Sequence, residues 1–569
     1  MLYKAPTMAI VAAVPLQGES DLSGNSGAIQ EFDVLVVGAG FGGLAMLHKL
    51  RDELGYRVRV IEAGSGPGGT WYWNRYPGAR CDVESLQYSM SFSDELQQEW
   101  EWTERFAAQP DILAYAEFAI ERLDMAKDID FGRRATSAVF DEEAGNWTLE
   151  TDTGESYRAR WLVMAAGPLS TPNFPSFPGL ENFKGEVYHS GAWPADPVSF
   201  MGKRVAQIGT GSSGIQIAPM IAKDADQLYL MQRTASHTVP ARNRPLRPGE
   251  QEQIKAHYND YRASWKETIG ATLWSSIVPD EKIVAYEKSA LEVGEEERRA
   301  VFERAWAFGG YALHRSFKDI LSIPEASDLV NAFIREKIAE VVKDPKTAEL
   351  LTPKHYYGVK RVILDTDYYE IFNRPNVTLV DVKSDPIVEM TETGVKTWDG
   401  FYEVDMIVLA TGFDAMTGSL IRMNIRGRGG RVLGDDWKDG PRTYLGIMAT
   451  GFPNMFMIGG PQSCSALANV ITANEQQADW IAECIAHCDE RKIATIETTD
   501  EAQDGWVNHV NELADKTIFT KGDSWYLGSN IPGKPRAFLL YAGGFPAYKQ
   551  HCEAIAAKGY EGFVLSAAG

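Results

Sequence analysis

The chain has little of what would mark a secreted, membrane-spanning or nucleic-acid-binding protein. Five cysteines (Cys81, Cys464, Cys484, Cys488 and Cys552) and no CxxC pair exclude a disulfide framework and a dithiol redox centre, and point to a reducing, cytoplasmic setting. Cys484, His487 and Cys488 share helical spacing, but no second ligand cluster completes a site, so core packing is expected there and no metal. No apolar run reaches the ~20 residues of a membrane span, so no membrane partner is expected. Basic residues are outnumbered, 56 against 78 acids, giving a net charge of −22; that field repels a polyanion and argues against nucleic acid as a partner. What remains is an ordinary globular composition, and 569 residues divide into roughly four units of ~150. Residues 1–30, with a short apolar stretch and then a run rich in Ser, Gly and acids, read as a disordered arm rather than a signal peptide.

Two glycine turns carry the first chemistry. Residues 32–37 form an apolar, β-branched run, followed by Gly38-Ala-Gly40-Phe-Gly-Gly43 and a helical pattern through Leu44, Met46, Leu47 and Leu50. The first glycine of such a turn makes the bend, the second admits a pyrophosphate, and the third lets the helix pack on the sheet. The helix N-terminus then meets the diphosphate with free N–H groups. A second strand, residues 57–61, ends at Glu62, 24 residues beyond Gly38, about the spacing at which an acid reaches a ribose hydroxyl. A carboxylate there fits FAD or NAD and repels a 2′-phosphate.

The second turn follows the strand at 203–208 as Gly209-Thr-Gly211-Ser212-Ser213-Gly214, and a helix runs on through Ile215, Ile217 and Ile221. At the equivalent place, 24 residues on, stand Arg233 and Thr234. An acid has given way to a forked donor, which suits a 2′-phosphate, so this turn is expected to take NADPH. Opposite ribose chemistries in one chain imply hydride passing from NADPH to a flavin. Disulfide reductases need paired cysteines near the flavin, and none are present; flavin monooxygenases and non-catalytic flavoproteins remain.

Gly68-Gly69-Thr70-Trp71-Tyr-Trp-Asn-Arg-Tyr-Pro-Gly-Ala-Arg-Cys-Asp82 resembles the flavin-side loop of Baeyer–Villiger monooxygenases. Phe183-Lys-Gly185-Glu-Val-Tyr-His189-Ser-Gly-Ala-Trp193-Pro194 resembles that family's fingerprint, FxGxxxHxxxWP, without a departure, and Ala410-Thr-Gly412 is similar to its ATG motif. The resemblance runs from about Phe32 to Leu565 and is greatest to the phenylacetone and steroid monooxygenase branch. It implies an α/β fold with two Rossmann-like dinucleotide-binding domains, for FAD and NADP, and a mostly helical insertion. The expected boundaries are 31–167 and 384–569 for the FAD domain, 168–237 and 333–383 for the NADP domain, and 238–332 for the insertion. Lost strand alternation and aromatics at Tyr258, Tyr261, Trp265, Trp306 and Phe308 support the insertion independently.

The implied activity is NADPH- and O2-dependent insertion of one oxygen beside a ketone carbonyl, through a peroxide anion on the flavin, giving an ester or lactone. That anion needs a fixed positive charge, and a guanidinium stays protonated where an ammonium need not. By the resemblance, Arg361 supplies it and Asp82 pairs with it, while Lys360 turns towards the 2′-phosphate beside Arg233. Trp525 resembles a mobile-loop residue that covers the nicotinamide ribose, and Ser465, Ala466 and Leu467 resemble a substrate-lining loop in which Cys464 stands where proline is frequent. Tyr88 resembles a residue near the flavin, although a core tyrosine explains it nearly as well. Phe183, Gly185, His189, Trp193 and Pro194 carry the fingerprint, and of these His189 and Trp193 are expected to brace the domains rather than transfer protons. The alternatives are oxygenation at nitrogen or sulfur, and a sensor that binds both cofactors without turnover.

Overall fold

The computed structural model describes residues 29–272 and 286–567; the arm expected at 1–30 lies outside them except for its last two residues. The first sheet runs in the order Asn424–Arg426, Ala135–Asp141, Asn146–Thr151, Ser156–Met164, Gln30–Val37, Val58–Glu62 and Ile129–Phe131, with Met455–Met457 also paired to Ser156–Met164. Around its centre the strands are parallel and Val34 to Met46 is largely buried, which is why residues 32–37 read as continuous rather than alternating apolar sequence. The second sheet is wholly parallel: Val377–Asp381, Gln227–Gln232, Arg204–Ile208, Met406–Leu409 and Glu186–His189. Each sheet delivers a glycine turn at the C-terminal end of a central strand, followed by a helix, Phe41–His48 in one and Ser212–Asp224 in the other.

Two expected boundaries move. Met406–Leu409 lies inside the second sheet, between Arg204–Ile208 and Glu186–His189, so the chain rejoins the first sheet well after 384. Before that strand, the antiparallel unit Ile387–Thr391, Gly394–Thr397 and Phe401–Glu403 packs Met390, Val395 and Val404 against Ile208 and Val380 of the same sheet. The insertion also runs past 332. The helices Pro324–Val341 and Pro345–Leu351 continue it, and strand structure returns only at Ile363–Asp365.

The insertion is shared between the two cores. Ile254, Tyr258, Trp265 and Ala271 pack into the core of the first sheet, whereas Val301, Phe302, Phe317 and Val330 pack into that of the second. Arg262 fixes the first of these contacts: buried, it donates to Gln97 Oε1 (2.6 Å), Ser89 O (3.1 Å), Ser89 Oγ (2.8 Å) and Met90 O (3.1 Å). Arg262→Ala leaves those acceptors buried without a donor and should destabilise the protein by about 3 kcal/mol, whereas Arg122→Ala, which removes an exposed pair with Glu99, should change it by less than ~1 kcal/mol. Urea unfolding of both variants gives the comparison.

Candidate active site

The two glycine turns obey one steric rule. Gly38 and Gly209 have φ of +107° and +108°, and a Cβ on either would lie 2.5 or 2.3 Å from the carbonyl oxygen of Ala165 or Ala410. A Cβ on Gly43 would meet Gly38 O at 1.9 Å, and one on Gly214 would meet Gly209 O at 2.2 Å. The middle glycines differ: Gly40 faces the backbone of Gly69, 3.5 Å from its would-be Cβ, and Gly211 faces open space. Gly69, with φ +53°, starts the short helix Thr70–Trp73 and brings the loop that precedes Asp82 onto the first turn. Ser212 and Ser213 open the helix Ser212–Asp224, whose N-terminus carries no side-chain cap.

The strand-end residues differ as their types suggest. Buried Glu62 accepts from Ala39 N and Gly64 N, each at 2.6 Å; burial raises its pKa and these two N–H groups pull it back. Arg233 and Thr234 are exposed just beyond Gln227–Gln232, and Thr234 O accepts from Thr210 Oγ1 at 3.1 Å. Lys360 stands near Arg233; burial, and then that like charge, lower its pKa. Neither cation is ion-paired among the described residues, and the nearby Asp523 is held by Arg536 at 2.6 Å. Two close cations that no carboxylate pairs with suit an anion.

Arg361 and Asp82, remote in sequence, meet between the domains. Arg361 Nε and Nη2 donate to Asp82 Oδ2 at 2.9 and 2.7 Å, and Nη1 donates to Ala466 O at 2.8 Å. Three of five N–H donors are engaged, leaving one on each Nη. Burial opposes the charge, but Asp82 and then the phenols of Tyr311 and Tyr526 outweigh it and hold the guanidinium protonated well above its ordinary range. The Ala466 contact brings the loop of Ser465, Ala466 and Leu467 onto the arginine. Ser465 is buried and its Oγ has no partner, while Cys464 is buried, with burial pushing its thiol up, and serves packing.

Tyr88 is core: its Oη accepts from Trp71 Nε1 at 3.0 Å, and its ring meets Phe41 edge-on. Trp525 begins the short turn Trp525–Leu527, in a loop tied down where Lys534 Nζ meets Asp414 at 2.7 Å and Asn530 Nδ2 donates to Phe413 O at 2.8 Å. His189 Nδ1 accepts from Gly191 N at 3.0 Å, so Nε2 carries the proton and faces Thr411 Oγ1 at 3.1 Å and Asn173 O at 3.3 Å. Burial pushes its pKa down to about 4, leaving a neutral brace between the strand end and the Ala410-Thr-Gly412 turn. Gly185 has no room for a Cβ, which would lie 2.3 Å from Asp405 O. Phe183 and Trp193 are buried in separate cores, and Pro194 follows Trp193. Sequence reasoning missed Tyr311, whose Oη reaches Asp82 Oδ2 at 2.8 Å; no motif marks it.

Comparison with known proteins agrees with this geometry. The family described as flavin-binding monooxygenase-like matches residues 84–244, and an NAD(P)-binding Rossmann-like domain matches residues 36–100. A Baeyer–Villiger monooxygenase of Pseudooceanicola batsensis is 42% identical over 94% of this chain and 96% of its own. The phenazine N-monooxygenase PhzNO1 of Lysobacter antibioticus is 43% identical over 94% of this chain and 97% of its own. The solved structure of an oxidised steroid monooxygenase bound to NADP superposes with a TM-score of 0.89 at 50% identity, covering 95% of this chain and all of that one.

The chain belongs to the Baeyer–Villiger monooxygenase family. The residues present fit the family's two cofactors: a buried acid beside the first turn for the adenosine ribose of FAD, and an open Gly211 with two cations that form no ion pair among the described residues for NADP. Removing either cation tests the second assignment. Arg233→Ala and Lys360→Ala should each reduce the preference for NADPH over NADH about ten- to a hundredfold, as expected for one lost charge-assisted contact. Steady-state kinetics with both nucleotides reads the ratio.

Proposed function

We propose that the protein catalyses NADPH- and O2-dependent insertion of an oxygen atom beside the carbonyl of a small-molecule ketone, giving an ester or lactone. Bound FAD supplies the chemistry that stores the hydride electrons and activates dioxygen. The observation that carries the reading is Arg361, clamped to Asp82 and Ala466 with two N–H donors left over. A guanidinium that cannot deprotonate stabilises negative charge developing on oxygen, and its preorganisation spares reorganisation at the moment of reaction. Asp82 fixes its plane. Ala466 O couples it to the loop of Ser465, Ala466 and Leu467, so substrate seated there lies against the same charge. Glu62 and the first turn hold FAD; Gly211, Ser212, Ser213, Arg233, Thr234 and Lys360 hold the nicotinamide nucleotide, with Trp525 closing over it.

No helix of the described residues is long and apolar enough to cross a membrane, and all five cysteines are buried free thiols, in keeping with a cytoplasmic enzyme. A second reading, oxygenation of a ring nitrogen, is favoured by one observation, the similarity to the phenazine N-monooxygenase. Against it stands the unbroken fingerprint from Phe183 to Pro194. Product analysis after incubation with linear, cyclic, aromatic and steroidal ketones and with a phenazine separates the two: esters or lactones support the first reading, an N-oxide alone overturns it.

Arg361→Ala separates the half-reactions. The variant should retain FAD and still be reduced by NADPH without air, yet ester formation should fall by ~10²–10³ or more, as when a preorganised charge partner is removed. Near-wild-type ester yield would exclude Arg361 from oxygenation.

A further inference from the structure

The segment that carries Lys360 and Arg361 has no ladder of its own. Residues 357–362 lie between the helix Pro345–Leu351 and the strand Ile363–Asp365 in irregular backbone, and Gly358 has φ +95°. Side chains from elsewhere must therefore hold it, and one turn of the insertion does so at both ends.

That turn, Gly310–Arg315, follows the helix Glu295–Phe308 through two glycines, Gly309 at φ +79° and Gly310 at φ +59°. A Cβ on Gly309 would lie 2.4 Å from Arg242 Cγ and 2.7 Å from Pro240 O, so the sharp reversal demands glycine. The reversal aims Tyr311 inward. Its Oη lies 2.8 Å from Asp82 Oδ2 and 3.1 Å from Val362 O, touching both the carboxylate that holds Arg361 and the peptide next to it. Three residues on, His314 Nδ1 lies 2.8 Å from Tyr357 Oη, and Tyr357 N donates to Ser327 Oγ at 2.6 Å. Tyr311 and His314 have ring centroids 4.8 Å apart, and His314 and Tyr357 5.1 Å. The turn thus grips the arginine segment on both sides, at Val362 and at Tyr357.

We propose that Tyr311 and His314 are positioning residues for oxygen transfer, setting Arg361 in place from outside both nucleotide domains; this rests on the role given to Arg361 above. Both groups keep one protonation state as they act. Burial, then Asp82, hold the Tyr311 phenol protonated, and burial, then Arg361, push His314 down to about 3, leaving a neutral imidazole that adds no competing charge. Oxygen transfer needs the cation in register with a developing charge, and a displacement of about 1 Å can cost of the order of a hundredfold in such a step. Reduction of the flavin should tolerate the same displacement.

The test uses the FAD-loaded protein with Tyr311→Phe, His314→Leu and His314→Asn. Tyr311→Phe and His314→Leu should reduce the flavin anaerobically with NADPH within about twofold of wild type, while ester formed per NADPH falls about three- to tenfold and hydrogen peroxide makes up the balance. His314→Asn keeps an acceptor for Tyr357 and should restore most of the yield. Unchanged yield in both variants overturns the proposal, as does a parallel loss of reduction and oxygenation. A second readout needs no substrate. With ¹⁵N-arginine labelling, the Arg361 Nε–H signal, assigned by its loss in Arg361→Lys, should exchange with water about tenfold faster in Tyr311→Phe, because a freed guanidinium opens more often. Unchanged exchange overturns the proposal even if the wild-type protein makes no ester from any ketone, the outcome that would instead remove the functional reading.

Discussion

A guanidinium held between two nucleotide-binding units is the constraint from which the rest of the arrangement follows. Desolvating Arg361 is unfavourable, and the pair survives only because Asp82 Oδ2 takes two of its donors and Ala466 O a third. Those partners come from the flavin-side loop and from the segment before the helix Val470–Glu490, whereas the arginine leads into Ile363–Asp365. The charge can therefore exist in this place only when both units and the insertion have come together. The arginine is charged in every state of the chain, but only the assembled fold gives that charge its partners and its fixed place.

The glycine turns show how one backbone device serves opposite chemistries. Their steric demands match nearly atom for atom, from φ at Gly38 and Gly209 to the contacts of Gly43 and Gly214. The two turns differ at the next strand end, where buried Glu62 accepts from two backbone N–H groups and exposed Arg233, a donor only, is in no ion pair among the described residues. An acid held at both oxygens by its own backbone is rigid and keeps further lone pairs that suit a neutral ribose. An arginine left open, beside a lysine whose charge it disfavours, relaxes only when an anion arrives.

This division explains what the sequence made legible. The turns and the residues that end their strands obey rules confined to some 30 residues of chain, so Gly38, Glu62, Gly209 and Arg233 could be read directly. Asp82 and Arg361 are 279 positions apart and could be linked only through family resemblance. Met406–Leu409 shows a different limit. Four buried apolar residues make a strand evident, but nothing in them says which parallel sheet accepts it; the pairing with Arg204–Ile208 is decided by neighbours along its whole length. Tyr311 and His314 were invisible for a third reason: their effect depends on a glycine reversal that has no periodic signature.

The insertion then acquires a role beyond filling space. Its first part is anchored in the core of the flavin-side sheet through Arg262 and Trp265, and its second part in the core of the other sheet through Phe302 and Phe317. Gly310–Arg315 belongs to the second part yet reaches Asp82, a residue of the first unit. Relative movement of the two units would therefore be transmitted to the carboxylate through a short turn rather than across a broad, compliant surface. Packed interfaces resist small continuous deformation and shift between discrete arrangements. A cation placed by such a turn is held fully in register or released from it, and this suits a site in which one step tolerates displacement and the other does not.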